Sequence, residues 1–581
     1  MATSWQDRAR QKREAILAAI PTAWRIESPP SIEEKRDVTG YIRGFLSERE
    51  VQITETSAEG IVEKTTGGTW KAEEVTRAFC HRAALAHQLL HCLHEIFFDA
   101  AIESARALDA YFAEHGKPTG PLHGLPVSLK DQFHVKDVET TMGYVGWMGT
   151  FEGKTGTGKE KVHESEMVRE LRNLGAVLYC KTSVPHTLMA GETMNNIIGY
   201  TPNPKNRHLA AGGSSGGEGA LIGIRGSPVG FGTDIGGSIR IPAAFNGLYG
   251  IRPSTGRLPY EGMANSMDGQ NSILSVVGPL GTTAGSLRLV MKALLSQEPW
   301  LHDPLVHEIP WRDSQEQEIL SLIDSSPGAS SAGKLCFGVM RTDGIVNPCP
   351  PMHRAIDIVV DALRSHGHEV IDWTPPPHKV ILEEAFKTWN FDAGSDLKSA
   401  FALSGEPLLP QVASFEYLDK HYTAAEIAAV NVRLRELKKE YMEYWNSTAK
   451  ASKSGRCVDA IIGPAAPWPA ARREKYDYYG YSTWVNALDY TCVVVPVTQV
   501  DKAIDRVDQG YKPLDERDRI CYESCKYSSV AVDLMSMWVN ERTDDPEIYD
   551  GAHVSLQLVG RRLQEEKMLA IAEYVGTIIG K

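Results

Sequence analysis

The chain has 581 residues, 42% hydrophobic and 23% charged, with 61 Lys and Arg against 74 Asp and Glu and a formal net charge of −13. This is the composition of an ordinary globular protein with ample apolar material for a core, and it excludes the disordered and fibrous classes. The negative surplus also excludes recognition of a nucleic-acid backbone, which needs Lys and Arg to neutralise phosphates.

The first thirty residues place Asp7, Arg8, Arg10, Lys12, Arg13 and Glu14 ahead of one short apolar stretch, Ala15 to Ile20. A secretory signal does not have this form, so a cytoplasmic location is expected. The longest uncharged stretch, Gly269 to Leu287, is diluted by Gly, Ser, Thr and Pro, and no transmembrane segment is predicted. Nine cysteines without regular spacing read as reduced thiols, and the isolated pair Cys521 and Cys525 lacks the second pair that a zinc site needs.

In chain order, the spacing of apolar residues predicts helices from Ser4 to about Ile20 and from Ala72 to about His115, with a polar, Gly-containing connector between them. The run GLPVSLKD from Gly124 reads as a buried strand ending at Lys130. A helix from Glu164 to Leu174 and a strand from Ala176 to Cys180 follow, giving the alternation of an α/β protein. From Gly212 to Gly250 roughly one residue in three is glycine, a density that specifies backbone geometry. Within it Val229 to Thr233 reads as a buried strand, Gly236 and Gly237 as a tight turn, and Ser238 to Phe245 as a helix. Residues from about Ser314 to Ser454 read as a helix-rich insertion or peripheral layer, before strands resume at Ala460 to Ile462 and Cys492 to Val497.

Three motifs compete for the chemistry. Gly153 to Glu160 has phosphate-loop spacing until Glu160 stands where Ser or Thr must hold magnesium, so it reads as a Lys-rich surface loop. Gly213, Ser215 and Gly217 satisfy G-x-S-x-G, with His553 as a distant base for an α/β-hydrolase-type esterase. The polar segment TPNPKNRHLAAG stands where the buried strand of that motif belongs. The third set is Lys130, Ser214 and Ser238. A serine needs a base to become nucleophilic, Lys can supply one once burial lowers its pKa, and the small residues before Ser238 leave backbone N–H groups free to bind an oxyanion. Spacing leaves an alternative open, in which Lys130 pairs with Asp131 or Asp234 and the serines only cap helices.

The segment Gly212 to Ser254, GGSSGGEGALIGIRGSPVGFGTDIGGSIRIPAAFNGLYGIRPS, closely resembles the signature of the amidase signature family. The likeness continues in GLPVSLKD, KTSVP from Lys181, TPNPKN from Thr201 and VSLQLVGRR from Val554. The opening helices, SERE from Ser47 and FCHRAALAHQLLHCLHEI from Phe79 resemble the fungal acetamidase and general amidase branch, and YSTWVNALDYTCVVVPVTQVD resembles fatty acid amide hydrolases. The resemblance implies a single large α/β/α domain with a mixed central sheet over residues 75–581, preceded by an N-terminal helical extension over 1–74. It implies Ser238 as nucleophile, Ser214 as bridging serine, Lys130 as base, a cis peptide between Gly213 and Ser214, and an oxyanion hole from the N–H groups of Ile235, Gly236, Gly237 and Ser238. Asp234 and Arg240 would hold the loop. Local resemblance offers Met189, Thr483, Trp484 and Leu488 as acyl-pocket residues, each of which equally suits the core. Thr491 and His553 stand where relatives commonly have proline, away from the three reactive positions.

The expected activity is hydrolysis of the C–N bond of a small-molecule carboxylic amide through a covalent acyl-enzyme, with no metal or organic cofactor and no nucleic-acid partner. Two alternatives use the same fold. An acyltransferase would pass the acyl group to an amine, and a glutaminyl-tRNA amidotransferase subunit would liberate ammonia beside a partner protein. The fungal-type opening argues against the second. The identity of the amide and the oligomeric state stay open.

Overall fold

The computed structural model describes residues 4–323, 334–506, 510–525 and 548–580, and the side chains of Ser524 and Cys525 lie outside the described set. The strands in chain order are β1 (Leu93–Ile96), β2 (Pro126–Lys130), β3 (Val177–Thr182), β4 (Met194–Asn195), β5 (Gly199–Tyr200), β6 (Val229–Asp234), β7 (Tyr249–Arg252), β8 (Val276–Gly281), β9 (Cys336–Val339), β10 (Glu369–Asp372), β11 (Ala460–Pro464), β12 (Cys492–Gln499) and β13 (His553–Val559). Eleven of them form one sheet in the order β1-β3-β2-β6-β8-β7-β12-β13-β11-β9-β10, while β4 and β5 pair separately. The sheet is mixed. β2 runs parallel to both β3 and β6, and β11-β9-β10 are parallel, while β8, β7, β12 and β13 connect them through antiparallel pairs.

Strands β2, β3, β6, β7 and β8 are buried along their whole lengths. Such continuous apolar runs are expected where helices cover both faces of a sheet. The N-terminal residues Ile20, Val38, Ile42, Ile53 and Ile61 join the same apolar cluster as the sheet. Lys12, on the first helix (Trp5–Ala18), pairs with Glu95 in β1 and with Glu139, 2.7 Å away, tying that helix to the sheet edge.

Three segments differ from the sequence reading. The stretch predicted as one helix from Ala72 is two, Ala72–Leu90 and Phe98–His115, with β1 between them. His91 takes a left-handed φ of 49° at the break, and a four-residue edge strand containing His94 and Glu95 is too short and too polar to interrupt a helical pattern. The supposed peripheral layer supplies β9 and β10 at the far sheet edge, again only four residues each. Finally, Cys349 is disulfide-bonded, whereas Cys80, Cys92, Cys180, Cys336, Cys457 and Cys492 are free thiols.

The fold places the ends of two parallel neighbours side by side. Ser128 is level with Gly230 and Leu129 with Phe231, so Lys130 ends β2 just below Thr233 and Asp234, which end β6. Gly230 permits the approach of what packs across it, because a Cβ there would overlap the side chains of Glu218 and Ser128. No helix of the described residues is long and apolar enough to cross a membrane.

Candidate active site

Lys130 is fully buried at the end of β2, where its Nζ makes 2.7 Å hydrogen bonds with Ser214 Oγ and Thr233 Oγ1. Thr233 in turn donates to Gln132 Oε1 at 2.8 Å, and Gln132 Nε2 donates to the Tyr260 hydroxyl at 2.8 Å. The Gly213–Ser214 peptide is cis. Ser215 N donates to the Ser238 carbonyl at 3.1 Å, which joins the Ser214 segment to the Ser238 segment. Ser238 lies in the turn before the helix Arg240–Phe245, which begins two residues later than the Ser238 start expected from sequence.

The surrounding carboxylates are engaged elsewhere. Asp131 pairs with Lys181 at 2.7 Å and accepts from Thr141 Oγ1 at 2.9 Å; burial pushes its carboxyl up, and Lys181 with the other donors outweighs this and holds it below the usual range. Asp234 receives both sides of the Arg240 guanidinium, Nε and Nη2 at 3.0 Å each, and by the same balance lies far below the ordinary carboxylate range. Lys130 has neither as a partner. Burial pushes its ammonium down to about 7, with the more distant Asp234 and Glu218 opposing. Glu218, buried and accepting from Ser128 Oγ at 2.6 Å and Thr182 Oγ1 at 2.8 Å, is pushed up by burial to about 7.

Arg240 also donates from Nη2 to Asn486 Oδ1 at 2.6 Å, and from Nη1 to the Ser482 carbonyl at 3.0 Å and Gln557 Oε1 at 3.1 Å. It thereby fastens the Ile235–Ser238 loop to the helix Gly480–Leu488 and to β13. Within the loop, Gly237 takes a φ of 128°, a region open to glycine, and its N–H donates to Asp234 Oδ1 at 2.8 Å. The Gly236 carbonyl accepts from Ser482 Oγ at 2.6 Å.

Ser238 lines a cavity of about 220 Å³ together with Met189, Gly213, Ile235, Gly236 and Tyr479. Its far walls come from the helix His378–Trp389, through Phe386 and Trp389, and from the turn Pro410–Tyr417, through Gln411, Ser414 and Phe415. Of the pocket residues suggested by resemblance, Met189 is on this wall. Thr483, Trp484 and Leu488 are instead buried in the core helix Gly480–Leu488, where Trp484 stacks on His378 and Tyr441. The competing pair is arranged otherwise. Ser215 Oγ bonds the main chain of Thr233, and the His553 ring faces Gly247 at the start of β13. Thr233, Gln132 and Glu218 were missed from sequence; only the burial of their strand and helix positions hinted at them.

A mixed α/β fold in which a buried lysine bonds Ser214 and Ser238 lines a small cavity defines the class. The "Amidase" family model matches residues 74–569. The chain is 44% identical to an acetamidase of Aspergillus oryzae over 580 residues, covering 99% of each, and 44% identical to an acetamidase of Emericella nidulans, covering 100% of this chain and 99% of that one. It superposes on a fatty acid amide hydrolase with a TM-score of 0.85 at 32% identity, covering 99% of this chain and 95% of that one. The chain belongs to the amidase signature family, and it is a hydrolase of carbon–nitrogen bonds other than peptide bonds.

Removing one member of a buried ion pair leaves the other uncompensated. Arg240→Ala is accordingly expected to lower the unfolding free energy by about 3 kcal/mol or more, measured by denaturant titration at neutral pH. An unchanged midpoint would show that the Asp234 pair does not hold the loop.

Proposed function

We propose that Ser238 is the nucleophile, Ser214 the proton bridge and Lys130 the base of an amide hydrolysis that passes through an acyl-enzyme. The observation that carries this reading is the 2.7 Å bond between Ser214 Oγ and a buried amine that no carboxylate contacts. At neutral pH such an amine is substantially unprotonated and accepts a proton from Ser214 as Ser214 takes one from Ser238. Ser238 Oγ then attacks the carbonyl carbon. The developing oxyanion is met by main-chain N–H groups of Ile235, Gly236 and Ser238, while the Gly237 N–H is held by Asp234. The relay reverses to protonate the leaving nitrogen, which departs poorly as an anion, and water releases the acid by the same route.

The substrate is proposed to be a small amide, as the names of the two fungal acetamidases suggest for those proteins. A 220 Å³ cavity lies below the ~300–1,000 Å³ range of pockets for drug-sized ligands. Its limit is set by a partition. Met189, Ile235 and Trp389 line both this cavity and a neighbouring one of about 340 Å³, and the six-membered ring of Trp389 lies over Gly236.

Ser238→Ala should lower kcat by roughly four orders of magnitude or more, and Lys130→Met by roughly 10³-fold or more, while His553→Ala keeps most activity. The acidic limb of the kcat/KM profile should fall below about pH 7 as Lys130 gains its proton. The signs for stability follow. Lys130 is depressed on folding, so between about pH 7 and 10 the unfolded chain binds the extra proton and this group adds stability as pH rises. Lys130→Met should remove that slope in unfolding free energy. A profile that stays flat to pH 5, or full activity in Lys130→Met, would overturn the assignment.

Trp389→Leu should join the two cavities and raise kcat/KM for hexanamide relative to acetamide about tenfold, the size expected for a few methylenes gaining room. Unchanged relative rates across a series of straight-chain amides would place the limit elsewhere.

A further inference from the structure

A cavity of about 800 Å³ lies between the N-terminal helix, the turn around Pro29, the end of the helix Ala72–Leu90 and the short β5 strand. It shares no lining residue with the Ser238 cavity. Four arginines line it, Arg13, Arg25, Arg207 and Arg473, and among the described residues that line it none is Asp or Glu. In a chain of net charge −13, this is a local reversal of sign.

Main-chain carbonyls hold three of the arginines. Arg13 donates to the Ile197 carbonyl at 2.6 Å, and Arg25 to the carbonyls of Ile20 at 3.0 Å and Ala18 at 3.2 Å. Arg207, only 6% exposed, donates to the carbonyls of Lys35 at 2.9 Å, Leu89 at 3.3 Å, Pro30 at 2.9 Å and Ser31. Arg473 stacks on the Tyr200 ring at 4.7 Å and makes a surface contact of 3.4 Å with Glu474. Two further carboxylates stand outside the lining: Glu33, fully exposed, acts on Arg207, and buried Glu192 accepts from the Tyr200 hydroxyl at 2.9 Å and from main-chain N–H groups of Glu474 and Tyr476 at 2.8 Å each. Carbonyl dipoles orient a guanidinium without cancelling its charge, and a buried cation left in that state is costly unless an anion joins it. The remaining lining is largely apolar, with Leu17, Ile20, Ile26, Ile32 and Ile198 among it. His87, pushed by burial to about 3, and His91, also lowered by burial, add hydrogen-bonding capacity but little charge at neutral pH.

We propose that this cavity is a second ligand site, separate from the catalytic one, that takes an organic carboxylate carrying an apolar chain. The carboxylate would meet the arginine forks in the bidentate geometry to which guanidinium groups are suited, and the chain would lie along the isoleucines. An acid released by the catalytic site and a free acid from another source present the same chemistry.

Calorimetric titration of the Ser238→Ala protein with octanoate, octan-1-ol and inorganic phosphate tests this. The nucleophile-free chain prevents turnover, and excess acetamide occupies the catalytic cavity. Arg13 and Arg473 are both exposed at the rim, so Arg13→Ala/Arg473→Ala is expected to fold. Octanoate should bind with one-to-one stoichiometry in the presence of acetamide, at least tenfold tighter than either octanol or phosphate, and at least tenfold weaker in the double variant. The same double substitution in the active enzyme should leave kcat/KM for acetamide unchanged, which separates this site from the catalytic reading. Absence of octanoate binding, affinity unaffected by the double substitution, or phosphate binding as tightly as octanoate would each overturn the proposal.

Discussion

The proposed chemistry depends on a lysine kept out of water and out of reach of a carboxylate. Two aspartates stand close in the chain to the reactive residues, Asp131 next to Lys130 and Asp234 four residues before Ser238, and either would hold a buried ammonium in its charged form. Lys181 takes the first and Arg240 the second. Lys130 is left with hydroxyl partners alone, and its pKa falls to the range where proton exchange at neutral pH is easy. These two ion pairs lie outside the proposed proton path, yet they determine the charge state on which that path relies.

The backbone makes this arrangement possible. Parallel strands β2 and β6 bring Lys130 and Thr233 to the same C-terminal end of adjacent strands, a placement that ligand sites in α/β sheets commonly share. Glycine at 230 lets the helix carrying Glu218 press against the sheet, and glycine at 237 lets the loop turn back so that its carbonyl and amide groups meet Ile241 and Asp234. Residues 378–417 then close the cavity from the other side, so the segment most remote in sequence character from the signature sets its size.

How much of this was legible in the residues differs from element to element. The strands ending at Lys130 and near Asp234 announced themselves because full burial yields unbroken apolar runs. β1, β9 and β10 did not, since four residues at or near a sheet edge leave little periodicity and admit His94, Glu95, Glu369 and Asp372. Trp484 illustrates a second limit. Its local resemblance suggested a pocket wall, but stacking against His378 and Tyr441 places it in the core. Trp389 carried no such signal, because its position over Gly236 is a contact between segments about 150 residues apart.

The sequence by itself determined the family, the α/β alternation, the reactive residue types and the glycine positions, because each of these is written in a contiguous stretch with its own local geometry. Which carboxylate neutralises which cation, how large the Ser238 cavity is, and which four arginines line a cavity whose described lining holds no Asp or Glu were decided only by the tertiary structure. Charge pairing and cavity shape are properties of distances across the fold, and the same residue types at the same spacings would serve a buried structural lysine equally well.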